Sequence, residues 1–427
     1  MCNFVACVLF SVPKMGRKSP HKSRETDNKN IKYNMKKYLF ILASSAALVA
    51  CSKNELTPAA SVADQEITYT VAPKVKALTT GQIEFDKKWT FKSTAFYLAN
   101  RDADNATQTW PTNAAASTVY INGVDISWNT DVWRNADKHY YWPKDGALTF
   151  FAWTSLKQNP DAALTASISD SKAVPAEDLI VSNFSGVEVT KDKGIVIKDY
   201  DVKADGNKNY DILVADTKIN MTKNDNTPVY LTTGVPTLFK HKLSQVFFTV
   251  QTVESEDPTK GHDYTTTEDN IKFEVTSITF KSIDTKNTFT QTNAEGAAGS
   301  WSTTASDITE SDQIYTNTKT EVTEDAAVLI AAGNYYYYLP QNFDAPASGA
   351  AATKDYIEVK YDITYNVNDT ATETVEHMTK NIVLNGSVFD KWEMGKRYTI
   401  NLRFSLDEIL WDPAVEDWGD ETKTLDF

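Results

Sequence analysis

Downstream of residue 61 the chain is dominated by alternation of apolar and polar residues, which marks half-buried strands. Ile357, Val359, Tyr361, Ile363, Tyr365 and Val367 share one face, and Glu358, Lys360, Asp362, Thr364 and Asn366 the other. Tyr398, Ile400, Leu402, Phe404 and Leu406 repeat the pattern against Thr399, Asn401, Arg403 and Ser405. In 271–280 the apolar set Ile271, Phe273, Val275 shifts by one before Ile278 and Phe280, which predicts a bulge at Thr276-Ser277. Further strands are predicted over 67–71, 90–98, 147–153, 194–202, 210–214, 243–252 and 335–339. Helical periodicity is scarce. The polar stretches 100–117, 254–270 and 293–323 exceed hairpin turns and are predicted to be exposed loops.

Many short strands with long connections predict an all-β protein built as two antiparallel Greek-key β-sandwiches. The turn cluster at 222–227 places the boundary near residue 225, giving an N-terminal domain over 62–225 and a C-terminal one over 226–427.

The first 61 residues follow another logic. From Met35 the chain reads MKKYLFILASSAALVAC, in which Lys36 and Lys37 form a positive start and Tyr38 to Val49 an apolar core too short to anchor permanently in a bilayer. Leu48-Val49-Ala50-Cys51 resembles a bacterial lipobox, with cleavage between Ala50 and Cys51 and a lipid on Cys51. Residues 35–50 are therefore expected to be a lipoprotein signal peptide and 51–61 a polar tether. In 1–34 the charges follow the apolar run, the wrong order for a signal, so this stretch is expected to be a disordered upstream extension, with translation starting at Met35. Cys2 and Cys7 precede the signal, which leaves the mature chain no pair of cysteines for an internal disulfide.

Charge narrows the function classes. From Cys51 onward 34 basic residues stand against 55 acidic ones, a balance of −21, and such a surface repels phosphate backbones; nucleic acid is not an expected partner. Catalytic constellations are equally sparse. His139, His241, His262 and His377 lie far apart and lack the spacing of a helical zinc pair, so structural or surface roles are expected for all four. Asp201 to Gly206 invites a calcium-loop reading, but Lys203 and Ile212 stand where oxygen ligands are needed, and the stretch reads as a polar turn. Acidic pairs such as Glu408 and Asp412 are expected by chance in so acidic a chain. No cofactor is expected. Alternation sends at most two of Tyr335 to Tyr338 to one face, where packing is the expected role.

Several motifs in order carry a family resemblance: Ile67-Thr68-Tyr69-Thr70-Val71, Tyr141-Trp142-Pro143, Gly146-Ala147-Leu148-Thr149-Phe150-Phe151-Ala152, Tyr210-Asp211-Ile212-Leu213-Val214-Ala215, Phe239-Lys240-His241-Lys242-Leu243-Ser244-Gln245-Val246, Leu339-Pro340-Gln341, Trp392, Gly395-Lys396-Arg397-Tyr398 and Trp418. Behind a lipobox, this series resembles the fimbrillin family of Bacteroidales, the Mfa-like and FimA-like lipoprotein pilins of type V pili. Lys242 departs from it, standing where the family usually has a small residue. The resemblance implies transthyretin-like sandwiches and a non-enzymatic pilus subunit that supports adhesion. It implies as partners other pilin subunits, a trypsin-like processing protease, and the outer membrane through the lipid on Cys51. It further implies a cut after the first strand, whose loss leaves a groove that a neighbour's strand fills. Between Val71 and Trp89 the cut can fall at Lys74, Lys76, Lys87 or Lys88, with Lys74 and Lys76 the candidate sites and Lys76 preferred. Candidate donors are 397–406 and 421–427. The competing expectation is a monomeric surface lipoprotein that presents Trp110, Trp128 and Trp133 to glycans.

Overall fold

The structure, a computed structural model, describes residues 65–71, 85, 87, 89–156, 183–203, 209–223, 234–253, 261–325, 328–330, 337–344, 346, 352–367, 372–384, 390–406 and 408–417. Ala50, Cys51, Lys74, Lys76, Lys88, the expected boundary at residue 225 and the candidate donor 421–427 lie outside these. Strands β1 (Tyr69–Thr70), β2 (Thr90–Leu98), β3 (Thr118–Asn129), β4 (Val132–Arg134) and β5 (Ala147–Leu156) come first. They are followed by β6 (Gly186–Thr190), β7 (Gly194–Asp201), β8 (Asp211–Ala215), β9 (Lys218–Met221), β10 (Val235–Pro236) and β11 (Phe239–His241). Next are β12 (Ser244–Thr252), β13 (Ile271–Gln291), β14 (Ser300–Trp301), β15 (Thr309–Thr316), β16 (Thr320–Val322) and β17 (Val328–Leu329). The series ends with β18 (Tyr337–Tyr338), β19 (Gln341–Asn342), β20 (Tyr356–Tyr365), β21 (Thr374–Val383), β22 (Lys391–Trp392), β23 (Lys396–Phe404) and β24 (Ile409–Asp417). The only helical pieces among the described residues are single 3-10 turns, Ala114–Ala116 and Ala305–Asp307, so the all-β expectation holds.

One sheet runs β10-β1-β4-β3-β2-β5-β8-β11, with β9 beside β5. Its two outermost strands are parts of one extended segment, separated only by Thr237 and Leu238, so the chain itself brings the two ends of the sheet together. Strand alternation then gives each strand two destinations. Leu148, Phe150 and Ala152 of β5, with Leu213 and Ala215 of β8, enter a core lined by Tyr69, Phe91, Ile121, Trp133, Trp142 and Phe239. Phe151 and Trp153, with Ile212 and Val214, enter a second core shared with Ile195, Ile197, Phe289 and the downstream sheets. Strands buried on both faces read as unbroken apolar runs. That is why β5 reads ALTFFAWTSL.

Strand β13 is the spine of the second sheet. Its first half pairs with β20 and β16, and its second half with β7 and β14, while β15 lies along its middle. The predicted bulge is present: the β13–β20 register shifts between Val275 and Ser277. The strand continues eleven residues past its predicted end at Phe280, because polar side chains occupy the buried positions of its second half. Thr285 donates to the Thr309 carbonyl (3.1 Å), Asn287 to the Ser302 carbonyl (3.1 Å) and Gln291 to the Ala215 carbonyl (2.8 Å), so each has a partner. The predicted loop over 293–323 is likewise corrected, since it contains β14, β15 and β16. Four residues of β15 are exposed in succession, which removes the apolar alternation that announces a strand. Residues Val62–Phe427 form one compact unit, and β6 and β7, upstream of residue 225, belong to the sheet of β13, downstream of it.

Candidate functional site: the slot of the first strand

The slot is the place that β1 fills in the first sheet. Ile67, Tyr69 and Val71 are 3, 3 and 2 % exposed and point into the core, as alternation requires. Tyr69 stands edge-on to Phe91 (centroids 5.5 Å) and Phe150 (6.0 Å), and its hydroxyl donates to the buried Ser93 Oγ (2.9 Å). Burial raises the Tyr69 phenol well above its usual pKa. Each such side chain contributes about 1.5–3 kcal/mol by leaving water.

The backbone of this segment is held from both sides. It pairs parallel with β10 (Tyr69↔Val235) and antiparallel with β4 (Tyr69↔Trp133). Ile67 N–H donates to the Tyr140 carbonyl (2.7 Å) and Trp142 N–H to that of Gln65 (3.0 Å). Val235 and Thr237 N–H donate to Thr68 (2.7 Å) and Thr70 (2.8 Å). Gly234 adopts φ +102°, and a Cβ there would collide with the Thr68 carbonyl, so only glycine lets the chain run this close to β1. Taking β1 away would leave unpaired edges on β4 and β10 and an apolar trench between them.

At the mouth of the slot, Glu66 receives Arg134 Nη1 (3.3 Å) on one oxygen and meets His139 Nδ1 (2.6 Å) on the other. Downstream, Phe85 returns to the same core, stacked on Phe239 (4.7 Å) and edge-on to Trp89 (5.0 Å). Lys87 rests 4.0 Å over the Trp128 ring.

The four histidines are dispersed, each on its own carboxylate: His139 on Glu66, His241 on Asp211 (2.5 Å), His262 on Asp269 (2.7 Å) and His377 on Asp362 (2.6 Å). Among the described residues, no group of His, Cys, Asp and Glu is arranged to hold a metal. Trp110 and Trp133 are 3 and 5 % exposed, and the Trp110 indole donates to the Asn293 carbonyl (2.6 Å), so neither ring can serve as a sugar platform; Trp128 alone of the three keeps partial exposure. Tyr337 and Tyr338 are buried, in the packing role expected for them. The candidate donor 397–406 is largely β23, bonded to β12 on one side and β24 on the other, so it is an interior strand rather than an edge. Lys242 Nζ is buried on the Ala298 carbonyl (3.0 Å), and burial followed by the charge of Lys240 lowers it to about 8.

The fimbrillin-like family profile matches residues 102–418. A fimbrial protein from Bacteroides vulgatus has a similar structure, with TM-score 0.54 at 18% identity, covering 83% of this chain and 100% of its own. The tip fimbrial protein Mfa3 from Porphyromonas gingivalis aligns over 83% of this chain and 100% of its own at 10% identity and TM-score 0.30. The anchor protein Mfa2 from the same organism aligns over 83% and 98%, at 12% identity and TM-score 0.24. No curated protein matches in sequence.

Proposed function

Because this chain belongs to the fimbrillin-like family, we propose that it is a structural subunit of a type V surface fimbrium, assembled by protease-triggered strand exchange and supporting adhesion. The observation that carries the reading is the position of β1, a short strand whose buried side chains complete the wall of a sheet and whose departure leaves a slot of strand shape. In this reading Cys51, lipidated after cleavage from Ala50, delivers the subunit to the outer membrane. A trypsin-like protease then cuts after Lys74 or Lys76. A cut there keeps Phe85 in the core, whereas a cut after Lys87 would remove it together with the strand.

Strand addition supplies the hydrogen bonds and alternating side chains that the emptied slot lacks, and the neighbouring subunit is the donor. The division into 62–225 and 226–427 is part of the proposal; the slot itself is walled by β4 of the first part and by β10 of the second. The fimbrial reading assigns the chain no catalysis. Surface material run unboiled on a denaturing gel should form a ladder that collapses on boiling, and its subunits should lack residues 67–71. Lys76→Ala should shift or slow the cut. A single unboiled monomer band that retains the first strand refutes assembly by exchange.

A further inference from the structure

Glu66, Ile67 and Tyr69 form a short code at the slot: an acid at the mouth, then Ile, then an aromatic ring two residues on. The same order occurs at Asp362-Ile363-Thr364-Tyr365, where Asp362 meets His377 (2.6 Å) and Lys319 (2.8 Å), just as Glu66 meets His139 and Arg134. It occurs again at Glu408-Ile409-Leu410-Trp411. A third copy, Asp125-Ile126-Ser127-Trp128, lies in β3, an interior strand bonded to β2 and β4, with Asp125 on Lys92 (2.6 Å). The three repeats differ in availability. The Asp362 copy lies in β20, bonded to both β13 and β21, and cannot leave without breaking the sheet in two. The Glu408 copy opens β24, which among the described residues ends its sheet and is bonded to β23 alone. Leu410 and Val415 on that strand are 40 and 53 % exposed, while Ile409 and Trp411 pack on the subunit's own core and leave it when the strand is donated; the exposed Glu408 carboxylate has no partner among the described residues.

We infer that Arg134 and His139 select the strand that enters the slot by binding its leading carboxylate, and that Glu408 of a second copy of this chain supplies it. This rests on the strand-exchange reading above. In that register Ile409 takes the place of Ile67 and Trp411 that of Tyr69, its indole N–H replacing the phenol opposite Ser93. Four of the segment's backbone bonds, made by Gln65, Ile67, Thr68 and Thr70, pass to residues 407, 409, 410 and 412, and none of these four needs an N–H from Pro413. Once Glu66 leaves, the partly buried Arg134 and the exposed His139 face the slot without their acid, and Arg134 Nε is already buried without a partner. A neutral leading residue would leave Arg134 so, which is a cost against the wrong donor.

The test uses the full chain cut after its first strand, with labelled peptides spanning 66–71 and 407–417 titrated by fluorescence anisotropy. The 407–417 peptide should bind, and its Glu408→Gln form about tenfold more weakly, the usual scale for a charge-assisted hydrogen bond. On the Arg134→Ala protein the two forms should bind alike. Equal binding of both forms to the parent protein overturns the carboxylate selection while leaving exchange intact. Binding of 66–71 without 407–417 overturns Glu408 as the donor's acid. Failure of 66–71 to rebind overturns the exchange reading itself, and with it this inference.

Discussion

Truncating Tyr69 is the sharpest probe of whether β1 is part of the wall. Tyr69→Ala removes a ring that is 3 % exposed and packed edge-on to Phe91 and Phe150, and it leaves Ser93 Oγ without its donor. Replacing a buried aromatic residue by alanine costs about 3–5 kcal/mol, so the uncut chain should lose about 4 kcal/mol. Tyr69→Phe keeps the packing and should lose only about 1 kcal/mol for the hydrogen bond. Val375→Ala, on the exposed strand β21, should fall within about 0.5 kcal/mol of the parent. Urea unfolding followed by tryptophan fluorescence and extrapolated to water gives all three values. A Tyr69→Ala loss below about 1 kcal/mol would refute the claim that β1 completes the core.

Three further perturbations test neighbouring parts of the account. Gly234→Ala should push the Thr68 carbonyl off its seat, and the uncut chain should release its first-strand peptide faster after tryptic cleavage, read by mass spectrometry over time. Lys242→Met removes a charge that burial disfavours. The lowered pKa of about 8 against 10.5 means the penalty is fully present below pH 8 and fades as pH rises towards 10.5. The shift is worth about 3 kcal/mol, partly offset by the lost bond to Ala298, so the variant should gain about 2 kcal/mol at pH 7 and almost none near pH 10.5. Asp284 is raised from 3.8 to about 6 by burial and then by Glu310 and Asp355. Its penalty appears as pH climbs from 3.8 through 6, so Asp284→Asn should stabilise by about 1 kcal/mol at pH 7, after allowance for its partial exposure, and by little at pH 4.

Legibility in the sequence followed the chemistry of each strand's faces. Strands β20 and β23 were readable because one face is apolar and the other polar throughout, and the bulge in β13 was readable because a one-residue slip moves every later side chain across the sheet. The second half of β13 was hidden because Thr285, Asn287 and Gln291 take buried places through hydrogen bonds, which no hydropathy pattern records. Strand β21 was missed for the opposite reason: its first six residues are exposed on both faces. At the site, the buried side chains of β1 followed from alternation in 67–71. Arg134 and His139 did not, since they lie about seventy residues away and only the fold brings them to Glu66. A readable clue was the acid itself, standing directly before an alternating strand.

The central claim is that β1 is a removable strand whose slot is refilled from a neighbour. Intact mass and N-terminal sequencing of the boiling-sensitive polymer recovered from the cell surface test it directly. Its subunits should begin after Lys74 or Lys76, without Cys51 or its lipid and without residues 67–71. Polymers whose subunits still carry Cys51 and Ile67 would contradict it.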